Sequence, residues 1–154
     1  MRTVATLPPG PAGPIILADG SIVLGDGAGI VHRIDPSTGL DRWSSLGLGS
    51  APVTALALAG TDADLIVPTV DGVLHALRSA DGTEAWSTRL TTAGDLKPGN
   101  LQTPAGSTWS IGYFPSSDGT LYAVQLDGRL DAAAPWPKAF HDSRNTNNAA
   151  TPLP

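Results

Sequence analysis

Short apolar runs separated by turn residues dominate the chain, and several of them alternate apolar and polar positions. This pattern is typical of β-strands, whereas the i, i+3, i+4, i+7 spacing of amphipathic helices is absent. Asp-Gly dipeptides stand beside these runs and supply the positive φ angles that tight hairpin turns require. They occur at six places, beginning at Asp19, Asp26, Asp71, Asp81, Asp118 and Asp127. The pattern therefore predicts an all-β fold of hairpin-connected strands.

One phrase is repeated along the chain. Residues 71–86 read DGVLHALRSADGTEAW, and residues 28–43 read AGIVHRIDPSTGLDRW, 43 positions earlier and without a gap. A third, shorter copy, DGTLYAVQLDGRL, begins 47 positions after the second. The alignment places His32, His75 and Tyr122 at one repeat position. A period of roughly 40–50 residues with several short strands per unit is typical of β-propeller blades.

The repeat divides the chain into a Pro-rich linker (1–12), three blades (13–50, 51–98 and 99–134) and a tail (135–154). Each blade is predicted to be a four-stranded antiparallel meander. The predicted strands are Pro14–Ala18, Ser21–Gly25, Gly29–Ile34 and Asp41–Leu46 in blade 1, Val53–Ala59, Asp64–Thr69, Val73–Arg78 and Glu84–Arg89 in blade 2, and Leu101–Pro104, Trp109–Phe114, Thr120–Gln125 and residues 128–132 in blade 3. Propellers close with about four to eight blades, so three blades predict an incomplete ring. The tail is expected to be ordered but irregular, with frayed final residues.

Composition narrows the class of protein further. Of 154 residues, 41% are hydrophobic and only 15% charged, with 18 Gly and 14 Pro, which suits short buried strands and tight turns. The net charge of −5 and the lack of a Lys/Arg cluster argue against nucleic-acid binding. Cysteine is absent, so disulfides and thiolate metal sites are excluded. The first 14 residues lack the basic and apolar regions of a signal peptide. The longest apolar run, residues 51–60, is too short to span a membrane.

The repeated phrase resembles the blade motif of the quinoprotein-type (PQQ-like) β-propeller repeat family, Gly-x-Leu-Tyr-Ala-Leu-Asp-x-x-Thr-Gly-Lys-x-x-Trp. Residues 29–43 and 72–86 match most of the motif, and residues 119–124 match its first half. Residues 136–146 are similar to a Trp-Pro-x-x-x-His-Asp-x-x-x-Thr signature that such propellers carry near a chain end.

The resemblance implies structural roles for the end of the motif, where Gly39 precedes Trp43 and Gly82 precedes Trp86. Each tryptophan is expected to be buried against the equivalent loop of the next blade, so that either Trp→Ala substitution costs about 3–5 kcal/mol. The third copy lacks this tryptophan, and Trp136 is expected to take over its packing role.

We predict no catalytic, cofactor-binding or metal-binding residues in this chain. His32 and His75 could form a metal pair, but a position that recurs with the blade, and holds Tyr122 in the third copy, is better explained by packing. His141 and Asp142 resemble a catalytic dyad, yet no nucleophile stands in a recognisable motif. The aspartates do not follow the Asp-x-Asp-x-Asp-Gly spacing of a calcium loop.

The resemblance alone does not transfer an enzymatic activity. Family resemblance implies that quinone-dependent dehydrogenases of this repeat type are full eight-bladed rings with calcium-ligating side chains. Neither eight blades nor such a ligand set is recognisable in this sequence. We therefore expect a non-catalytic propeller segment for protein interaction or scaffolding in a bacterial extracytoplasmic (periplasmic or secreted) protein, the location resting on family habit. The alternative is the propeller part of a larger secreted enzyme or adhesin that binds carbohydrate or another small ligand; a quinone-dependent dehydrogenase fragment is favoured least. The expected partners are the missing blades of the parent protein or a second copy of the chain.

Overall fold

A computed structural model of the chain describes residues 7–10, 12–61, 64–142, 144–148 and 150. In that part of the chain, twelve short strands form three separate antiparallel sheets. No helix that is long and apolar enough to cross a membrane occurs there. The all-β fold and its architecture as an incomplete propeller are therefore confirmed. The first six residues of the predicted linker, residue 11 and the last four residues of the tail lie outside the described residues.

The first two sheets follow the predicted meander. Sheet 1 has the strand order β1-β2-β3-β4, and sheet 2 contains the consecutive order β5-β6-β7-β8. The bounds are β1 Ile15–Ile16, β2 Ile22–Gly25, β3 Val31–Ile34, β4 Asp41–Ser44, β5 Leu56–Ala59, β6 Leu65–Pro68, β7 Val73–Leu77 and β8 Glu84–Arg89.

Sheet 3 has three described strands instead of the predicted four, in the order β11-β10-β9. These are β9 Asn100–Gln102, β10 Trp109–Pro115 and β11 Leu121–Asp127. The strand predicted around residues 128–132 exists as β12, Arg129–Leu130, but it pairs with β5 of sheet 2. The prediction that it completes blade 3 is wrong.

The physical reason for this rearrangement lies at Gly128. The third copy lacks the full Asp-x-x-Thr-Gly turn, so the chain does not fold back along β11. Gly128 has φ of 112°, and a Cβ there would lie 2.9 Å from the carbonyl oxygen of Ala59, so only glycine allows this close approach. The next residues then bury Leu130 against the inner edge of sheet 2.

Corresponding turns of the three blades have the same backbone conformation. Gly29, Gly72 and Gly119 have φ angles of 87°, 88° and 87°, at positions that the sequence alignment treats as equivalent. Each lies in the turn between the second and third strands of its sheet. Five of the six Asp-Gly dipeptides have a glycine with positive φ; the exception is Gly27, where an added Cβ would lie 2.0 Å from the carbonyl oxygen of Pro9.

Two apolar cores hold the three sheets side by side. One core joins sheets 1 and 2 and includes Ile15, Val31, Leu65 and Leu77. The other joins sheets 2 and 3 and centres on Phe114, which is fully buried. Sheet 2 is thus covered on both faces, whereas sheets 1 and 3 each have one face that no described sheet covers.

Candidate protein-interaction site

The recurring His/Tyr position lies on the third strand of every sheet. His32 is on β3, His75 on β7 and Tyr122 on β11, opposite Leu24, Val67 and Phe114 respectively. This repeat position therefore lies on equivalent strands of the three sheets, and both histidines are buried.

Each histidine is hydrogen-bonded to an acidic residue nine positions later, on the fourth strand of its own sheet. His32 Nδ1 lies 2.8 Å from Asp41 Oδ2, and His75 Nδ1 lies 2.7 Å from Glu84 Oε2. The hydrogen bond from His75 holds the pKa of Glu84 below its usual value, against the opposing effect of burial. These pairs attach the fourth strand to the third. No group of three or more His, Cys, Asp or Glu residues in the described part of the chain could hold a metal ion.

Trp43 joins sheet 1 to sheet 2 as the blade motif implies. Its indole Nε1 donates a 2.7 Å hydrogen bond to the carbonyl oxygen of Ser79, in the turn between β7 and β8. Arg33 donates a second bond to the same oxygen. The indole ring lies over Gly82, where a Cβ would be 2.5 Å from the nearest ring atom. Gly82 is therefore required for this contact, and Gly39 has a nearly identical φ at the equivalent turn of blade 1.

Trp86 does not repeat this contact, and the expectation that it is buried is wrong. It is 38% exposed. The docking loop that it would need is the turn between the third and fourth strands of blade 3. That turn is missing because the chain leaves β11 for sheet 2 at Gly128.

Trp136 is expected to take the packing role of the tryptophan that the third copy lacks, but the structure places it beside β1 instead. Its backbone forms an isolated bridge with Ile16 of β1, with N···O distances of 2.8 and 3.2 Å. Its ring lies 5.1 Å from the ring of His141. The tail therefore passes along the inner strands, since Ala57 of β5 also donates to the carbonyl oxygen of Pro137.

The tail contains a buried lysine that the sequence analysis did not identify. Lys138 is fully buried, and its Nζ donates to the carbonyl oxygens of Ala139 and Asp142 and to Asn145 Oδ1. Burial lowers its pKa to about 8, although the Asp142 carboxylate acts in the opposite direction. The full set of acceptors explains how the ammonium group is tolerated, which indicates a structural role.

The outer face of sheet 3, which no described sheet covers, carries partly exposed apolar side chains. We call it the open face and define it as Trp109, Ile111, Tyr113, Leu121 and Ala123. These residues point the same way, because Tyr113 is paired with Ala123 and Ile111 with Gln125 across β10 and β11. Leu121 is 61% exposed, whereas its repeat equivalent Leu74 is fully buried. The opposite end of the array is partly covered, since Leu7, Pro8 and Pro9 line a pocket of about 360 Å³ over β2.

The fold and this uncovered sheet define a β-propeller segment whose third blade has no outer strand among the described residues. A family model described as outer membrane protein assembly factor BamB matches residues 5–153. The chain therefore belongs to that family, which carries PQQ-like repeats. No curated protein matches the sequence.

Solved structures share the fold at low sequence identity. BamB from Moraxella catarrhalis has a TM-score of 0.57 and 22% identity, and the match covers 79% of this chain and 36% of that chain. Sqt1 from Saccharomyces cerevisiae has a TM-score of 0.59 and 12% identity, covering 70% of this chain and 29% of that chain. BBS1N, solved in complex with ARL6DN, has a TM-score of 0.50 and 17% identity, covering 78% and 35%. The chain thus spans about a third of the length of these structures.

Proposed function

We propose that this chain is a non-catalytic β-propeller segment that serves protein interaction or scaffolding, and that the open face is where a protein partner packs. The observation that carries the proposal is the contrast between Leu121, which is 61% exposed, and Leu74, which is fully buried at the same repeat position. In blades 1 and 2 a neighbouring sheet covers this position. The equivalent face of blade 3 is therefore suited to pack against a sheet in the same way.

The chemistry of the open face favours a protein over a small ligand. It combines two aromatic and two large aliphatic side chains on a flat sheet. An uncovered apolar sheet with a free edge strand is a surface that proteins normally pair or cover. The neighbouring interfaces show what covers it in blades 1 and 2, namely another sheet of the same repeat.

The proposed partners are, first, further blades of a longer propeller and, second, another copy of the chain. The short span relative to the solved propellers supports the first. The partly open face of sheet 1 around Ile22 and Leu24 supports the second. Through this face, sheet 1 of a second copy would pack on sheet 3 in the way that sheet 2 packs on sheet 1. A bacterial, extracytoplasmic location is part of the proposal and is supported by the description of the family as an outer membrane protein assembly factor.

Light scattering after gel filtration tests the role of the open face. A mass of about twice the chain's 15.7 kDa would support a closed pair of copies. Leu121→Asp should shift the chain towards monomer, because it places a charge in the contact. Leu40→Asp is the matched control, since Leu40 is 69% exposed in blade 1, away from the open face. A monodisperse wild-type monomer that unfolds cooperatively would contradict the proposal.

A further inference from the structure

We propose that the free edge of β11 binds an extended segment of a partner protein as the missing fourth strand of sheet 3, and that this segment carries a tryptophan followed three residues later by an arginine or lysine. The inference rests on the proposed function, and it names the secondary structure and side chains of the partner.

The first observation is that no described strand pairs with the outer edge of β11. Ser116 donates to the carbonyl oxygen of Thr120 at the start of the β10–β11 hairpin, so hydrogen-bonded pairs alternate from there. Tyr122 and Val124 then bond to β10, while Leu121, Ala123 and Gln125 direct their N–H and C=O groups away from it. In sheet 2 the equivalent outward groups begin at Gly72, whose carbonyl oxygen accepts from Leu90 after β8.

The second observation is that the covering segment is missing only over blade 3. The chain that leaves the fourth strand passes close to the turn glycine of its own sheet in blades 1 and 2. A Cβ on Gly29 would lie 3.0 Å from Ser50 O, and one on Gly72 would lie 2.2 Å from Thr91 O. A Cβ on Gly119 would have no described atom within 4 Å. The turn of blade 3 therefore has the same shape without the segment that the other two turns contact.

The third observation gives the side chains of the occupant. In sheet 2 the fourth strand places Trp86 opposite Ala76 and Arg89 opposite Val73. Arg89 binds the turn residue Asp71 through both its carbonyl oxygen and its carboxylate, at 2.6 and 3.3 Å. Asp71 corresponds to Asp118 in blade 3.

Asp118 is an exposed carboxylate without a described cation beside it. It accepts hydrogen bonds from Thr120 N, Thr91 Oγ1 and Tyr122 Oη, at 2.8, 2.8 and 3.3 Å, and none of the described Lys or Arg side chains forms an ion pair with it. A partner strand in the β8 register would place its tryptophan opposite Ala123, on the open face, and its basic residue at Asp118. Main-chain hydrogen bonds would supply affinity, and these two side chains would supply register.

A peptide taken from the chain itself is the probe. A labelled peptide of residues 82–91, GTEAWSTRLT, is titrated with the full-length chain and followed by fluorescence polarisation. We expect saturable binding that weakens about tenfold or more with Trp86→Ala or Arg89→Glu in the peptide. N-methylation of the peptide tryptophan should also weaken binding, because that amide faces β11. N-methylation of the next residue, Ser87, is the matched control, since its amide faces away.

Variants of the chain test the same edge from the other side. Ala123→Pro removes an outward N–H without breaking a β10–β11 hydrogen bond, so it should weaken peptide binding about tenfold, whereas Ala123→Ser should not. Unchanged affinity for the N-methyl-tryptophan peptide, or no binding at millimolar concentration, would overturn the proposal. A dimer of the chain that Ala123→Pro dissociates would also overturn it, because a second copy would then occupy the edge. If the peptide fails but Leu121→Asp still prevents self-association, this inference alone is wrong and the role of the open face stands.

Discussion

Replacing either motif tryptophan with alanine should have unequal effects, although the two residues are equivalent in sequence. Trp43 is half-buried, bonds to Ser79 and lies over Gly82 in the next sheet. Trp86 is 38% exposed and its indole has no hydrogen-bond partner among the described residues. Trp43→Ala should therefore destabilise the fold much more than Trp86→Ala.

The magnitude follows from what each side chain contacts. Emptying a fully buried tryptophan site costs about 3–5 kcal/mol, so a ring that remains partly exposed, as Trp43 does, contributes about 2 kcal/mol. Loss of the hydrogen bond to Ser79 adds about 1 kcal/mol, because the carbonyl oxygen loses its indole partner. We expect about 3 kcal/mol for Trp43→Ala and about 1 kcal/mol or less for Trp86→Ala. Trp43→Phe, which keeps a ring but not the donor, should fall between them.

Urea unfolding followed by far-UV circular dichroism measures these differences without relying on tryptophan fluorescence. The slope of the free energy of unfolding against urea should stay unchanged, so that a shift in midpoint reports stability. A cost for Trp86→Ala equal to that for Trp43→Ala would refute the argument that blade 3 lacks a docking turn. A cost below about 1 kcal/mol for Trp43→Ala would refute the contact itself.

Three further predictions concern single positions. Gly72→Ala should destabilise the fold far more than Gly119→Ala, because both have positive φ but only the first Cβ would collide with backbone at Thr91; thermal melts of the two variants compare them directly. The Ser21 hydroxyl and other donors lower the pKa of Asp19 from 3.8 to about 2, so the stability that ionised Asp19 contributes is present above pH 4 and is lost as the pH falls towards 2. Asp19→Asn should therefore make the urea midpoint depend less on pH over that range, and an unchanged dependence on pH would contradict this. Burial lowers the pKa of Lys138 from 10.5 to about 8, so the unfolded chain binds more protons than the folded chain between pH 8 and 10.5. The free energy of unfolding should therefore rise with pH over this range. Lys138→Met should abolish the rise in thermal melts from pH 7.5 to 10.5.

Local features of the fold could be predicted from the sequence because they depend on residues close together in the chain. A hairpin needs its turn glycine and its two flanking runs, so the repeat offset located β2, β3, β6 and β7 and aligned Gly29, Gly72 and Gly119. The resemblance also implied that Trp43 docks on the equivalent loop of the next blade, and the structure identifies Gly82 as the residue beneath its ring.

Only the tertiary structure decided which strand the chain pairs with after Asp127, where the third copy departs from the motif. After Asp127 the chain could continue along β11 or pair elsewhere, and local propensity does not distinguish these outcomes. Pairing of Leu130 with Leu58, more than 70 positions earlier, is favoured because it buries Leu130 at the inner edge of sheet 2. That choice leaves β11 without a partner strand and Trp86 without a docking turn. The edge that we propose as a binding site thus exists because burial of one distant leucine outweighed completion of the third blade.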